Sequence, residues 1–262
     1  FEYQDGSEGK IDIGQSFETT YEMFQGKDPR FLASIYVPGS SLLGSTMQFQ
    51  RGLILKDGSK YYAQSAPGPS YLLETYIDPE TQRKDTIFGK DGGTYTGDAS
   101  KTGFNIRKFV NENLKTEAQW DFGKTETSFP IFRLAEVYLN LAEAAVEMGK
   151  YQTEAFEAIK KIRDRAGVVT PFAVVDVEKV RHERQVELAF EGHRFWDMKR
   201  WRIAHLPVDQ GGLNGFRGAG LHPFFDLRIR KYVFEVANDL PKRQRVFTEK
   251  NYYTKFSGND MN

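Results

Sequence analysis

The chain changes character at Pro130. From there apolar residues fall at Ile131, Leu134, Ala135, Tyr138, Leu141, Ala142, Ala145 and Met148. That spacing of three and four is the repeat of one helix face, and a strand cannot match it. Pro130 suits a first helical turn, with Ser128 as the cap, and Gly149 suits a left-handed stop. A second helix follows, with Ala155, Ile159, Ile162 and Ala166 on one face and Gly167 at its end. Two helices joined by so tight a turn must run antiparallel.

The hairpin reads LAEAAVEMGKYQTEAFEAIKKI. It resembles a tetratricopeptide repeat in its small residues at the crossing, its glycine turn and the aromatic after it. One such unit cannot bury both faces. No second copy is visible, so either non-repeat helices cover it or the other repeats lie outside this chain. A third helix is predicted from Asp176, its N-cap, to Glu191. Gly192 interrupts it, and residues 194–201 form a short fourth. Residues 211–220 read as a Gly-rich loop and 232–236 as a strand.

Residues 1–127 differ. They are rich in Gly, Ser, Asp and Thr, and short apolar runs interrupt them. Residues 31–37 alternate and end at Pro38-Gly39, which reads as a strand closed by a turn. Residues 47–55, 71–77 and 104–110 are weaker strand candidates, and 90–97 a loop. The expected architecture is mainly α with irregular loops and a few short strands. It is one domain over 1–262, with a loop-rich part (1–127), a helical scaffold (128–201) and a loop-rich end (202–262).

Charge narrows the function. The 36 basic and 36 acidic residues cancel, whereas a nucleic-acid partner would draw a basic excess. With no cysteine, disulfides, thiolate metal sites and cysteine nucleophiles are absent. No apolar run approaches the roughly 18 residues that span a bilayer. The chain starts at Phe1, so an export signal or lipid anchor is expected upstream.

Several chemical motifs fail on inspection. Residues 118–125 (AQWDFGKT) match a relaxed phosphate loop, but Gln119, Trp120, Asp121 and Phe122 crowd its middle where small residues are needed. His182-Glu183 begins a zinc motif, yet the second histidine position holds Val186. Asp91 and Asp98 do not form a calcium loop. No G-x-S-x-G elbow is present. Glu183, Glu187 and Glu191 follow one another at single turns, where β-carbons lie about 5–6 Å apart. That is near the carboxyl separation of about 5–5.5 Å in retaining glycosidases. Basic residues flank them, however: Arg184 three before Glu187, Arg194 three after Glu191, Arg200 three after Asp197. Neighbouring cations lower the pKa that a catalytic acid must have raised. These six residues (Arg184, Glu187, Glu191, Arg194, Asp197 and Arg200) therefore read as an ion network holding helices together. No catalytic residue, cofactor or metal is assigned.

Three motifs stand in order in the second half. An Arg followed by A-E-x-Y-L-N and A-E-A is present as Arg133, Ala135 to Asn140, and Ala142-Glu143-Ala144. I-R-x-R-A-G is present as Ile162 to Gly167. An E-R-x-x-E-L-A-F-E-G-x-R-x-x-D-x-x-R-W block is present as Glu183-Arg184, Glu187 to Gly192, Arg194, Asp197 and Arg200-Trp201. In these the second half resembles the SusD/RagB family. Asp28 to Phe31 (D-P-R-F) and Gly103 to Lys108 resemble upstream features of the family. The resemblance covers residues 20–201. The tail, FSGNDMN, departs from it, and both the family's N-terminal half and its usual ending are expected to lie outside this chain.

The resemblance implies a lipid-anchored protein on the extracellular face of a Gram-negative outer membrane. It would capture oligosaccharide or a similar nutrient for a SusC-like TonB-dependent transporter, without catalysis. Contact with the membrane would come only through the upstream anchor. The alternatives are a tetratricopeptide-like protein–protein scaffold and, behind it, a glycoside hydrolase. Aromatics make up 14% of the chain and can stack on sugar rings as well as fill cores. Trp120 is the leading ligand-binding candidate, being in a polar loop and the only Trp outside the charged block. Tyr61, Tyr62 and Tyr95 follow.

Overall fold

The computed structural model describes residues 1–62, 75–91, 100–113, 127–237 and 244–253. Its strands are β1 (Ser16–Phe17), β2 (Ile35–Tyr36), β3 (Ser41–Leu42), β4 (Ser45–Thr46), β5 (Gly52–Ile54), β6 (Lys60–Tyr61), β7 (Thr75–Ile77), β8 (Lys84–Thr86), β9 (Asn105–Ile106), β10 (Gly220–Asp226) and β11 (Lys231–Ala237). Its α-helices are α1 (Pro29–Ser34), α2 (Leu134–Glu147), α3 (Gln152–Ala166), α4 (Val177–Glu187) and α5 (His193–Arg200).

The helical hairpin forms where the spacing places it. α2 and α3 bury Leu139, Ala142, Ala145, Ala155, Ala158, Ile159 and Ile162 against one another, with Val175, Val180 and Leu188 closing the cluster. Four alanines at the crossing let the backbones approach closely. Gly149 (φ 63°) and Gly167 (φ 72°) both take the left-handed conformation, which glycine adopts without a Cβ penalty.

Three expectations need correction. Residues 31–37 are not a strand. Asp28 caps α1, its carboxylate accepting from the Arg30 backbone N–H at 2.8 Å, with Pro29 in the first turn. This cap and proline outweigh the alternation that follows, and only Ile35 and Tyr36 go on to pair with β9. The first long helix starts at Leu134 rather than Ile131, and Arg133, in extended conformation, is its N-cap instead of Ser128. The third helix ends at Glu187, four residues early, in a turn with Phe190 (φ 66°) and Gly192 (φ 83°) left-handed.

The class also shifts. The described residues are 30% helical and 18% strand, so they mix the two rather than being mainly α. The main sheet has the order β1-β11-β10-β5-β6. β10 and β11 pair antiparallel from Gly220↔Ala237 to Asp226↔Lys231, and β5 runs parallel to β10 from Phe224↔Gly52. A strand of the first half thus pairs beside the last hairpin. Phe24, Val37, Leu221 and Phe234 form the core under β10 and β11, and Leu53, Ile87, Phe88 and Leu227 a second core beside β5. No helix among the described residues is long and apolar enough to cross a membrane.

Candidate functional site

Two features draw the halves together: a buried charge network and an open cleft. The network is built on α4 and the turn after it. Glu183 receives Arg30 at 2.5 Å and Arg163 at 2.9 Å. Glu187 receives Arg133 at 2.6 Å, Arg165 at 2.7 Å and Arg30 at 3.1 Å. Glu191 receives Lys108 at 2.5 Å and Arg133 at 2.7 Å. The side chains of all three glutamates are at most 2% exposed. Arg30 is braced from behind by Asp28 at 2.8 Å, and Arg163 by Glu2 at 2.6 Å. The early end of α4 also serves the network. Lys108 donates to the Glu187 and Ala189 carbonyls (3.2 and 2.9 Å) and Arg133 to that of Glu187 (2.7 Å). These cations satisfy carbonyls that a helix end leaves open.

Electrostatics follow from this geometry. Burial alone would raise the carboxyl pKa values of Glu187 and Glu191. Hydrogen bonds and charge from Arg133, joined by Arg165 and Arg30 at Glu187 and by Lys108 at Glu191, outweigh it and hold both below the ordinary value. A neighbouring group centres on Asp197, which accepts from Arg184 (3.0 and 3.1 Å) and Arg200 (2.8 Å). Arg184 also donates to Asn140 at 2.7 Å, and the Trp201 indole donates to Glu143 at 2.7 Å. Of the three pairings suggested by spacing, Arg200 with Asp197 is present. Arg184 turns from Glu187 to Asp197, and Arg194 lies 6.0 Å from the Trp201 ring.

The cleft, of about 560 Å³, lies between the segment Glu18 to Tyr21, the extended stretch Met47 to Gln50, and Thr86, Gly89 and Tyr232. Its central wall is stitched on both sides. Met47 exchanges backbone hydrogen bonds with Gly39 (2.9 Å) and Ser40 (2.8 Å). Gln48 accepts from the Asp91 backbone (3.0 Å) and donates to the Asp91 carboxylate (2.8 Å), while Gly89 donates to the Gln50 carbonyl (2.9 Å). Glycine is required at two of these crossings. A Cβ at Gly89 would lie 2.1 Å from the Gln48 carbonyl oxygen, and one at Gly39 (φ +90°) would lie 2.8 Å from the Tyr21 Cβ.

The sequence candidates fall as follows. Trp120 and Tyr95 lie outside the described residues, as do 118–125. Tyr61 is half-buried with its ring 5.4 Å from Tyr76, and Tyr62 meets Phe224 at 6.0 Å. Neither lines the cleft. Reading the sequence missed Arg30, Lys108, Arg133, Arg163 and Arg165 as network members, although the motif segments that carry them stood out. It missed the cleft entirely, whose lining comes from segments without a shared motif. Among the described residues no cluster of three or more potential metal ligands occurs.

Comparison with known proteins places this architecture. Two solved structures from Bacteroides fragilis share its fold. One, described as a SusD-like protein, has a TM-score of 0.59 at 25% identity and covers 100% of this chain and 43% of its own. The other, described as a SusD-like carbohydrate binding protein, has a TM-score of 0.51 at 28% identity, covering 78% and 34%. The sequence model of the SusD family matches residues 1–261, and the chain belongs to that family. Among curated proteins, SusD-like protein P2 of Formosa agariphila is 31% identical over 101 residues (34% of this chain, 20% of that one). SusD-like protein P25 of the same organism is 39% identical over 80 residues (28% and 15%). The chain thus spans a fifth or less of these curated relatives and under half of the solved structures.

Proposed function

We propose that this chain is part of a cell-surface capture protein that binds an oligosaccharide or similar nutrient and delivers it to a SusC-like TonB-dependent transporter. In this reading it forms one domain at the extracellular face of the outer membrane and is held there by a lipid anchor upstream of Phe1. The observation that carries the reading is the family match across 1–261, joined to a solved relative described as carbohydrate binding. Charge supports binding over hydrolysis. The adjacent carboxylates that could mimic a glycosidase pair are shared out among cations, and the lowered pKa values of Glu187 and Glu191 are opposite to what a general acid needs.

One observation favours a second reading, a scaffold for helical partners: α2 and its C-cap Met148 leave Leu134, Val137, Leu141 and Met148 exposed by 41–64%. A screen of the chain against a glycan array, with a reducing-sugar assay on the same panel, separates the readings. Capture predicts binding without sugar release. Release of reducing ends overturns it in favour of an enzyme, and absence of all glycan binding favours the scaffold.

A further inference from the structure

Resting on that capture reading, we infer that the cleft between Tyr21, Gln48 and Tyr232 is a binding subsite for an uncharged oligosaccharide. Its chemistry is that of hydroxyls and amides. The hydroxyls of Tyr21, Tyr232, Thr20, Thr46 and Thr86 and the Gln48 side-chain amide make no hydrogen bond to any described residue, and all six residues line the cleft. Hydroxyls donate and accept, and the amide does both through separate atoms. This is the mixed pattern that sugar hydroxyls require. The wall behind them is already committed: the Gln50 amide donates inward to the Thr86 (2.7 Å) and Ile87 (3.1 Å) carbonyls, and Phe49 is 1% exposed. Polar capacity is therefore left over only on the side facing the cleft.

Charge sets the class. Among the described residues neither Arg nor Lys lines the cleft. The one ionised side chain among them, Glu18, is exposed at the rim and faces Lys231 at 2.9 Å. A sulfated, phosphorylated or uronate chain would lose hydration there without gaining the charged donors that such groups require. A neutral chain loses nothing of the kind. The two tyrosines are also held in place before binding. Tyr21 packs on the core around Phe24 and Phe234, over the turn where Gly39 has no Cβ, and the Tyr232 ring rests on Phe225 at 5.1 Å. Rigid half-buried rings offer C–H stacking faces at little entropic cost. The volume, about 560 Å³, falls within the roughly 300–1,000 Å³ of ordinary ligand sites.

The test is calorimetric titration of the full chain with neutral glucose, mannose and xylose oligosaccharides and with oligogalacturonate and a sulfated galactan oligosaccharide. The expected result is binding of at least one neutral chain, with both anionic chains weaker by about tenfold or more. Tyr21→Phe/Tyr232→Phe/Gln48→Ala should weaken the neutral ligand by about tenfold or more, the loss of several hydrogen bonds, with an unchanged melting temperature. Should that variant misfold, Gln48→Trp and Thr46→Trp fill the cleft from exposed positions and should each abolish binding. Neutral binding that survives these variants overturns the subsite and leaves the capture reading standing. Preference for an anionic chain overturns the ligand class. Failure to bind any member of the panel overturns the capture reading, and the inference with it.

Discussion

Glu187 illustrates how one residue can be costly and still necessary. Its side chain is 1% exposed and holds three arginines, Arg30, Arg133 and Arg165. A carboxylate removed from water is repaid only when its partners are close and well aligned. Glu187→Gln removes the charge, keeps the shape and leaves partly buried cations facing a neutral amide. Breaking a buried pair in this way costs about 3–5 kcal/mol, so the melting temperature should fall by several degrees. Ligand affinity of the fraction that stays folded should not change. A variant that melts like wild type but no longer binds would make Glu187 a ligand-binding residue instead. The sequence shows that Glu187 sits among basic residues, but not which ones it meets. Arg30 is 157 positions away, and no local spacing encodes a contact that only the closed fold creates.

At the scale of elements, what the sequence reveals is whatever local chemistry decides. α2 and α3 are legible because their apolar faces repeat at helical spacing and glycines stop them. Asp176 is legible because a cap needs only its own turn, and its carboxylate accepts from Lys179 N at 2.8 Å. β10 is hidden for the same kind of reason. Pro223 stands in its middle, and a proline argues against a central strand. Here its carbonyl accepts from Arg51 N at 2.9 Å and the strand continues into the pairing with β5. The cleft wall is hidden because three separate stretches of chain make it. Its dependence on close backbone approach is testable. In Gly89→Ala the new Cβ would lie 2.1 Å from a carbonyl oxygen of the wall, which cannot move aside as a flexible side chain would. We expect a loss of more than about 1 kcal/mol in denaturant unfolding, together with weaker glycan binding. Wild-type stability and affinity would mean that the 48–50 and 89–91 stretches are not tied as described.

At the scale of the molecule, the network decides how the halves respond to acid. Glu183, Glu187 and Glu191 come from the helical part, whereas Asp28, Arg30 and Lys108 come from the first half. Both sides of that junction depend on ionised carboxylates. Glu2 shows the shift most plainly. Burial would raise its pKa, yet the His182 imidazole 3.3 Å away and the Arg163 guanidinium hydrogen-bonded to it at 2.6 Å bring it from 4.5 to about 2. Glu143, Glu187 and Glu191 are lowered too, against the same effect of burial. A carboxyl whose folded pKa lies below its unfolded value binds its proton more readily when unfolded. Acid therefore favours unfolding. The stability these groups contribute is complete above the unfolded value near 4.5 and drains away as pH falls from there toward about 2. We expect urea midpoints that hold steady from pH 7 to about 5 and then drop steeply, with a shallower drop in Glu187→Gln because one titrating group is gone. Because the junction carries the network, indole fluorescence and far-ultraviolet dichroism should report the same midpoint at each pH. Two separated midpoints would mean that the halves unfold independently and that the network, though present, does not couple them.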